Sequence, residues 1–415
     1  MPRTIVGFAQ QLPPKDRLKE FLAVAGIGLL LATVLLMRTN GLIYDHPSFI
    51  KPWDHHKYIH MASSNPLDFH IAPFCWRIAK PLLASLLPFD LQWNFLMINF
   101  ISIWMTGVTV YYLVKKANFP RVYALTGMLM FFALGWAAKF ALYDFWLPDA
   151  PAFLIMTLGV YCILAKQDLA FAALLAAGVT VKESAFFIAP LYYTLNAKKI
   201  VDLRVAKRFV LFTAPAVIVL IALRALIPQM NNDLAYISKL PDTLRLVQTG
   251  QTYYDYWTLL KVVGLGRFRT LTLDILSSYS VGTFGVMVML LPFFAVRKNM
   301  RWFFKFAPFF LLVYSQLLFA VHTERLLAIG FPAMILLAIN GISAINETFF
   351  LKPPLLLSLP LTFFVLNVIA KSSITSPVAI QFLVFVLWLA LSFQLRGKDV
   401  AGSNLELNLV GWKGG

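Results

Sequence analysis

Apolar runs separated by short polar or basic segments repeat along almost the whole chain of 415 residues. A transmembrane helix needs about 20 consecutive apolar residues, with a range of about 17 to 25. The candidate runs are 20–37, 93–114, 121–137, 149–165, 209–227, 275–296, 306–321, 326–345, 354–370 and 377–395. The stretch 168–196 contains two shorter runs, 168–181 and 184–196, which the polar segment VKES separates. This pattern predicts an all-α polytopic membrane protein.

The distribution of basic residues decides whether 168–196 crosses the membrane once or twice. If the stretch forms a helical hairpin, the chain has about twelve transmembrane helices and both termini lie in the cytoplasm. Four basic segments, VKKANFPR, NAKKIVDLRVAKRF, VRKNMRWFFKF and LRGKD, then face the cytoplasm, as the positive-inside rule requires. We therefore expect a multi-pass plasma-membrane protein with about twelve helices and further helices in its extracytoplasmic loops.

This topology divides the chain into a large transmembrane module and shorter terminal parts. The parts are a cytoplasmic segment at 1–19, the module at 20–345 with external loops 38–92 and 228–274, C-terminal helices at 346–395 and a cytoplasmic tail at 396–415. The first apolar run ends in LLMRTNG without a small-residue cleavage site. We therefore expect this run to be a membrane anchor rather than a removed signal peptide. The cytoplasmic connections are too short for a nucleotide-binding domain, so any chemistry is expected outside.

Composition supports the membrane assignment and excludes other classes. Hydrophobic residues make up 60% of the chain and charged residues only 13%, whereas soluble domains have about 25% charged residues. The net charge of +17 fits basic cytoplasmic loops. No basic run with interleaved aromatic residues lies on a soluble module, so we expect no nucleic-acid partner. Of the two cysteines, Cys162 lies in an apolar run and Cys75 in a loop, which excludes a disulfide framework.

The first external loop gathers titratable residues in KPWDHHKYIHMA, at 51–62. We expect Asp54 to act as a general base that removes a proton from an acceptor hydroxyl. Alternatively, Asp54 only caps an interfacial helix. The residues expected to line the acceptor or sugar pocket here are His55, His56, Tyr58 and His60.

The same loop offers a weak candidate metal site. Asp54, His56 and His60 share neighbouring faces of a predicted helix, and histidines four residues apart can bind one ion. The spacing fixes no third strong ligand, so no cofactor is predicted and the need for a divalent cation stays open.

Two cations follow in HIAPFCWRIAKPLLASLLP. Arg77 and Lys80 lie three residues apart, next to an apolar run. Cations beside an apolar groove suit a lipid-linked phosphate, which needs charge neutralisation near a place for its tail. Alternatively, both side chains extend toward phospholipid head groups.

Acids and further charges occur beside later apolar runs. Asp144 and Asp149, in ALYDFWLPDAPAFL, have aromatic neighbours that suit a sugar; alternatively, Asp149 caps a helix. Lys182 and Glu183, in VKES, would be costly inside a membrane unless they are paired or face a watery cavity. We expect these four residues in the sugar or acceptor pocket, although Lys182 and Glu183 also suit a purely structural hairpin tip.

Two more external segments complete the candidates. In AVHTERLLAIGFP, at 320–332, His322 is expected in the pocket, and Arg325 is expected to bind phosphate or to pair locally with Glu324. The tyrosine-rich segment 249–271 predicts an interfacial amphipathic helix. It would border a lipid-carrier groove or simply lie on the membrane surface.

The order of these motifs resembles the GT-C superfamily of membrane glycosyltransferases. The resemblance rests on the first-loop WDHHKY, then RIAKPLL, PDAPAFLI, VKES and TERLLAIGFPAMILLA, over about residues 40–340. The sequence is similar to bacterial GT-C-like membrane proteins. More distantly, its run WDHHKYIHMA…PFCWRIAKPLLASLLP resembles GPI mannosyltransferase I.

This resemblance implies a GT-C-like bundle and a donor sugar carried on a polyprenyl phosphate. Asp54 would match the first-loop acid, Arg77 the arginine before PLL, and Asp149 the acid of the PD element. Lys182 and Glu183 would match the charged tip, and Arg325 the arginine before the late helix. Several GT-C families have two acids in the first-loop motif, whereas His55 and His56 follow Asp54 here.

We therefore expect a glycosyltransferase whose partners are membrane lipids, a polyprenyl-phosphate-linked sugar and a glycan, lipid or protein acceptor. No Gly-rich phosphate loop is present. Two other classes stay open: a secondary transporter, and a non-catalytic relative that binds a lipid carrier or scaffolds a complex.

Overall fold

The computed structural model describes residues 14–51, 53–231, 233–245, 260–318, 323–370 and 373–400. Within these ranges every regular element is helical, as the apolar pattern predicts. The earlier helices are α1 (Pro14–Arg38), α2 (His55–Ser63), α3 (Ala79–Leu86), α4 (Leu91–Lys116), α5 (Arg121–Phe132), α6 (Phe140–Tyr143), α7 (Asp149–Ala165), α8 (Asp168–Val181), α9 (Ala189–Asn196) and α10 (Leu203–Leu226). The later helices are α11 (Leu234–Ile237), α12 (Asp242–Arg245), α13 (Leu265–Thr270), α14 (Leu273–Leu290), α15 (Val296–Ser315), α16 (Thr323–Leu327), α17 (Phe331–Phe349), α18 (Pro353–Ile369) and α19 (Val378–Val400).

Six helical stretches in the described ranges are long and apolar enough to cross a membrane. They are 15–38, 91–116, 203–226, 273–318, 324–349 and 378–395. A seventh candidate is the bent pair 121–132 and 135–143, and three shorter apolar helices accompany them, namely α7, α8 and α18. Only 17% of the most apolar window of α10 is buried, so most of its apolar surface needs lipid around it. The predicted total of twelve crossings is larger and stays a prediction.

Two of the predicted spans are interrupted in the structure. The run 275–296 ends as an α-helix at Leu290, and a 3-10 turn at Leu291–Ala295 leads into α15. Pro292 lies at the start of this turn, where it has no backbone N–H for a continuing helix. The run 121–137 ends at Phe132, and a π-helical turn at Gly135–Lys139 follows at a bend of 65°. A side chain at position 135 would collide with the Ile374 carbonyl, which is why glycine suits this bend.

The stretch 168–196 is broken at the predicted place. Helix α8 ends at Val181, Lys182 has extended backbone (φ −160°, ψ 128°), and a 3-10 segment at Glu183–Ile188 leads into α9. Helix α8 packs against α7 and α10. The break therefore holds the side chains of Lys182 and Glu183 at the end of a helix that is anchored on two neighbours.

A second apolar cluster, separate from the main interhelical core, holds the loops together. We call it the loop cluster; it contains Leu42, Tyr58, Met61, Ala62, Phe69, Ile71, Ala72, Phe74, Cys75, Trp76, Ala84, Phe95, Ile98, Phe145, Trp146, Leu147, Leu223, Ile227, Leu240 and Leu244. Buried indole N–H groups satisfy loop carbonyls, since Trp76 donates to Ile227 (3.0 Å) and Trp146 to Leu42 (2.6 Å). Paired polar groups of this kind can be buried at little cost. The loop cluster fixes the first loop against α10.

Candidate functional site

Asp54 stands just before α2, but it does not cap this helix through its side chain. One carboxylate oxygen accepts a hydrogen bond from Lys57 at 2.8 Å, and the other lies 3.4 Å from Arg325 Nη1. The capping interpretation of Asp54 is therefore wrong. Lys57 is the residue that the sequence prediction missed, and its signal was the i, i+3 spacing from Asp54 on one helix face.

Asp149 is the first residue of α7, and its side chain is also not used as a helix cap. One oxygen accepts from Arg325 Nε at 2.7 Å, and the other accepts from Lys182 Nζ. Asp149 and Lys182 are both 2% exposed. A buried charge is tolerated only when it is paired, and here one carboxylate pairs with two cations at once.

These contacts form a continuous chain of five charged side chains. In order they are Lys57, Asp54, Arg325, Asp149 and Lys182. We call this set the charge network. Asp54 and Arg325, which meet in it, are 271 positions apart in sequence, so the network exists only in the folded chain.

A second ion pair adjoins the network through Glu183, the neighbour of Lys182. Arg77 donates two hydrogen bonds to the Glu183 carboxylate, from Nε at 2.8 Å and from Nη2. Its remaining Nη1 donates to the Tyr58 hydroxyl at 3.1 Å. The Arg77 guanidinium lies 5.4 Å from the centre of the Phe74 ring, a distance at which cation–π attraction contributes.

The charges around this site leave a surplus of positive charge. Four cations, Lys57, Arg77, Lys182 and Arg325, pair with three carboxylates, Asp54, Asp149 and Glu183. The carboxylates of Asp54 and Glu183 have exposed fractions of 29% and 23%, whereas the Arg325 side chain is 7% exposed. The two acidic side chains are therefore the more exposed part of the site, and Arg325 is the more buried part.

The pKa values of Asp54, Glu183 and Lys182 follow from these contacts. Burial alone would raise the pKa of Asp54, but the charges of Lys57 and Arg325 outweigh burial and hold the pKa below its ordinary value. For Glu183, burial is likewise outweighed by Arg77, and the pKa is lowered. Both groups are therefore ionised at neutral pH. Burial lowers the pKa of Lys182, with Asp149 acting in the opposite direction.

Asp144 differs from the other carboxyls. It follows α6, is 5% exposed, and its Oδ1 has no hydrogen-bond partner in the described part of the chain. Burial raises the pKa of Asp144 to about 7, with a partly opposing effect of Arg325. Asp144 is therefore the carboxyl here that can change its protonation state near neutral pH.

Lys80 does not join Arg77 at the site. Its ammonium group donates to Asn99 Oδ1 at 2.5 Å and to the carbonyls of Phe145 and Leu147 at 2.6 Å each. These three oxygens occupy all three donors of a lysine. Lys80 thus fastens the turn that follows Asp144, and the spacing from Arg77 did not indicate this.

The histidines of α2 lie beside the network rather than in it. His55 Nε2 contacts the Phe49 carbonyl at 2.9 Å, and its ring centre lies 4.1 Å from that of His56. Burial lowers the pKa of His55 to about 4 and also lowers the pKa values of His56 and His60. These rings are therefore neutral at neutral pH.

No metal cluster is present among the described residues: no three His, Cys, Asp or Glu side chains are grouped to hold an ion. Asp54, His56 and His60, the weak candidates, all fall within the described ranges. His322 lies outside the described residues, as does the part of the predicted interfacial helix at 249–259.

No protein-family model, curated protein or solved structure matches this chain.

Proposed function

We propose that this protein is an integral membrane glycosyltransferase. It would transfer a sugar from a polyprenyl-phosphate-linked donor to an acceptor hydroxyl at the extracytoplasmic face. One observation carries the proposal: the residues matched to the GT-C-like motifs, other than Lys80, lie in two adjoining groups of ion pairs, namely Asp54, Asp149, Lys182 and Arg325 in the charge network and Arg77 with Glu183 beside it. Such convergence is not expected for unrelated structural ion pairs, because burying charge is costly.

Arg77 and Arg325 would bind the donor phosphate. The surplus of cations around the site supports an anionic ligand. Arg77 has the pair of parallel donors that arginine offers to phosphate, and a bound phosphate would take the place of Glu183 on them. As the phosphate leaves, these donors would stabilise its growing charge in a partly dry site.

Asp54 would serve as the general base. It is ionised and is the most exposed carboxylate of the charge network. The acceptor oxygen would form a bond to the anomeric carbon of the sugar while that carbon's bond to the phosphate oxygen breaks. The proton of the acceptor hydroxyl would pass to Asp54, and the bonding electrons would leave with the phosphate.

The proposal includes a GT-C-like bundle of about twelve crossings in the plasma membrane, with both termini in the cytoplasm. The two native cysteines are buried, so single cysteines at exposed positions can report the topology. Ser64→Cys should react with an impermeant thiol reagent from outside, and Met300→Cys only after the cells are opened. The reverse labelling pattern would contradict an external site.

The decisive experiment offers purified protein in lipid a panel of radiolabelled polyprenyl-phosphate sugars. The wild type should release or transfer sugar, and Asp54→Asn should lose this activity by about 100-fold or more. Asp68→Asn is the matched control, because Asp68 is an exposed acid of the same loop. Equal turnover by the wild type and Asp54→Asn would exclude Asp54 as the base.

A non-catalytic lipid-carrier-binding protein is the second candidate, and one observation favours it. Every cation of the charge network is already paired with a carboxylate, as in a purely structural network. The same experiment separates the two: donor binding without turnover supports the scaffold. If the protein neither binds nor turns over the donor, the result supports a transporter.

A further inference from the structure

A group of cations lies at the end of α7 that is far from the charge network. Asp149 of the network is the first residue of α7, and Lys166 directly follows the last residue of this 17-residue helix. At a rise of 1.5 Å per residue, the two ends of α7 are about 25 Å apart. A ligand bound near Lys166 would therefore be separate from a ligand of the charge network.

Two contacts on α9 bring Lys166 close to α15. The ammonium group of Lys166 donates to Asn196 Oδ1, at the last residue of α9. Two residues earlier on α9, the Thr194 hydroxyl donates to the backbone carbonyl of Lys305 at 2.6 Å. Lys305 lies in α15. The ends of α7 and α9 and the middle of α15 therefore hold two lysines at the same place.

Two more cations join this place, and acid balances only one of them. Arg208 of α10 pairs with Asp168 at the start of α8, and the Arg208 side chain is 59% exposed. Within the described ranges no ion pair joins a carboxylate to Lys166, Lys305 or Lys116, the last residue of α4. Burial lowers the pKa of Lys166, with an opposing effect of Asp168, and the three other cations lower it further. We call these four cations, Lys116, Lys166, Arg208 and Lys305, the basic cluster.

Exposed apolar side chains lie beside the basic cluster. Leu169 of α8 is 79% exposed, and Phe304, which precedes Lys305, is 67% exposed. Ile200 is 95% exposed, and its backbone carbonyl accepts a hydrogen bond from the Tyr193 hydroxyl of α9 at 2.7 Å. Cations next to exposed apolar side chains suit a ligand that carries an anionic group and hydrocarbon chains.

We propose that the basic cluster binds the phosphate of an anionic phospholipid, whose acyl chains lie along the exposed apolar side chains beside it. The proposed topology places this end of α7 at the cytoplasmic face, where basic pockets between transmembrane helices bind anionic head groups. The phosphate would reduce the repulsion among the lysines and would accept from the exposed guanidinium of Arg208. This lipid site does not depend on sugar transfer at the charge network.

Native mass spectrometry of the purified protein with equal amounts of phosphatidylglycerol and phosphatidylcholine tests this proposal. The wild type should retain phosphatidylglycerol preferentially. Lys166→Gln/Lys305→Gln should bind phosphatidylglycerol about tenfold more weakly or worse, because each basic residue near an anionic lipid contributes to binding. The matched control, Lys15→Gln/Lys19→Gln, removes the same charge from two exposed lysines of α1 and should bind as the wild type does. Equal retention of both lipids by the wild type, or an equal loss in both double variants, would overturn the proposal.

Thermal unfolding in detergent distinguishes a bound lipid from a bound phosphate ion and from a folding defect. Added phosphatidylglycerol should raise the apparent Tm of the wild type, because a ligand of the folded state stabilises it. Inorganic phosphate at the same concentration should not. Lys166→Arg/Lys305→Arg keeps both charges and should keep the increase, whereas Lys166→Gln/Lys305→Gln should lose it. A wild-type Tm that phosphatidylglycerol leaves unchanged, or that phosphate alone raises equally, shows that the basic cluster is not a phospholipid site.

Discussion

Among the described carboxylates that are each shared by two cations, Asp149 and Glu20 lie in very different surroundings. Asp149 pairs with Arg325 and Lys182, and Glu20 pairs with Lys115 and Arg121. Around Asp149 every partner is almost completely buried, whereas Arg121 has a side chain that is 58% exposed. Glu20 joins the beginnings or ends of α1, α4 and α5, where water reaches the charges.

Similar ion pairs therefore differ in their energetic cost at these two places. At the Glu20 cluster the carboxylate side chain is only 10% exposed, but solvent reaches Lys115 and Arg121, so that the contacts connect helix ends at lower cost. At Asp149 the desolvation of three charges must be repaid by their mutual attraction, so that such a network adds little net stability. The proposed ligand site would account for a costly network beside two partly exposed carboxylates.

The largest effect is expected for Asp149→Asn. This change leaves Arg325 and Lys182 buried without their shared carboxylate, and breaking a buried pair costs about 3–5 kcal/mol. We expect a strong decrease in the apparent Tm of the protein in detergent, together with loss of turnover. Thermal unfolding followed by intrinsic fluorescence measures the decrease.

A second change tests the cause. Lys182→Met removes one of the two stranded cations, so that the double variant with Asp149→Asn should regain part of the lost stability. An Asp149→Asn protein that unfolds at the wild-type temperature would show that the network is not the buried charge cluster described above.

A smaller, pH-dependent effect is expected for Asp144→Asn. The folded-state pKa of Asp144 is about 7 and its ordinary value is 3.8. Between these values the folded protein holds a proton that the unfolded chain has lost, so this group lowers stability progressively as pH rises from about 4 to about 7. The Asn variant should therefore gain apparent Tm over the wild type across this range, and the gain should level off above it.

This dependence contrasts with that of His55, whose pKa is lowered to about 4. A histidine that stays neutral when buried destabilises the fold as pH falls from about 6.5 to about 4. The difference between Asp144→Asn and the wild type removes this shared contribution. A difference in Tm that does not change with pH would contradict the raised pKa of Asp144.

Arg77→Lys should act mainly on the ligand. Lysine cannot reproduce the two parallel hydrogen bonds that Arg77 offers. If Arg77 binds the donor phosphate, the KM for the donor should rise about tenfold, or ~1.4 kcal/mol, with a smaller change in kcat. Steady-state kinetics at varied donor concentration separate the two constants, and an unchanged KM would remove Arg77 from phosphate binding.

The sequence predicts much of the helical framework because apolar periodicity and chain breakers act locally. The run 149–165 coincides with α7, and the break at VKES lies where α8 ends at Val181. The run 275–296 lies inside a longer apolar stretch, 273–318, whose helix is interrupted at Gly285 and by the 3-10 turn with Pro292, and hydropathy registers neither break. The number of crossings depends on contacts with lipid that periodicity cannot specify.

For the site, sequence reasoning found the charges but not their pairing. Lys182 was predicted to be a site residue because an unpaired charge beside apolar runs is costly. Its partner is Asp149 rather than its neighbour Glu183. The spacing of Arg77 and Lys80 suggested a joint role, whereas the chain directs Lys80 to backbone carbonyls. Such partners are distant in sequence, so that only the folded chain brings them together.

The smallest effect is expected for Glu20→Gln, which tests the other side of the comparison. Gln keeps an oxygen that can accept from Tyr111 or Lys115, and Arg121 is already largely in water. The free energy of unfolding should change by about 1 kcal/mol or less, and sugar transfer should stay at the wild-type level. The same thermal and turnover assays measure both quantities. A Glu20→Gln variant as unstable as Asp149→Asn would mean that solvent exposure does not separate the two clusters.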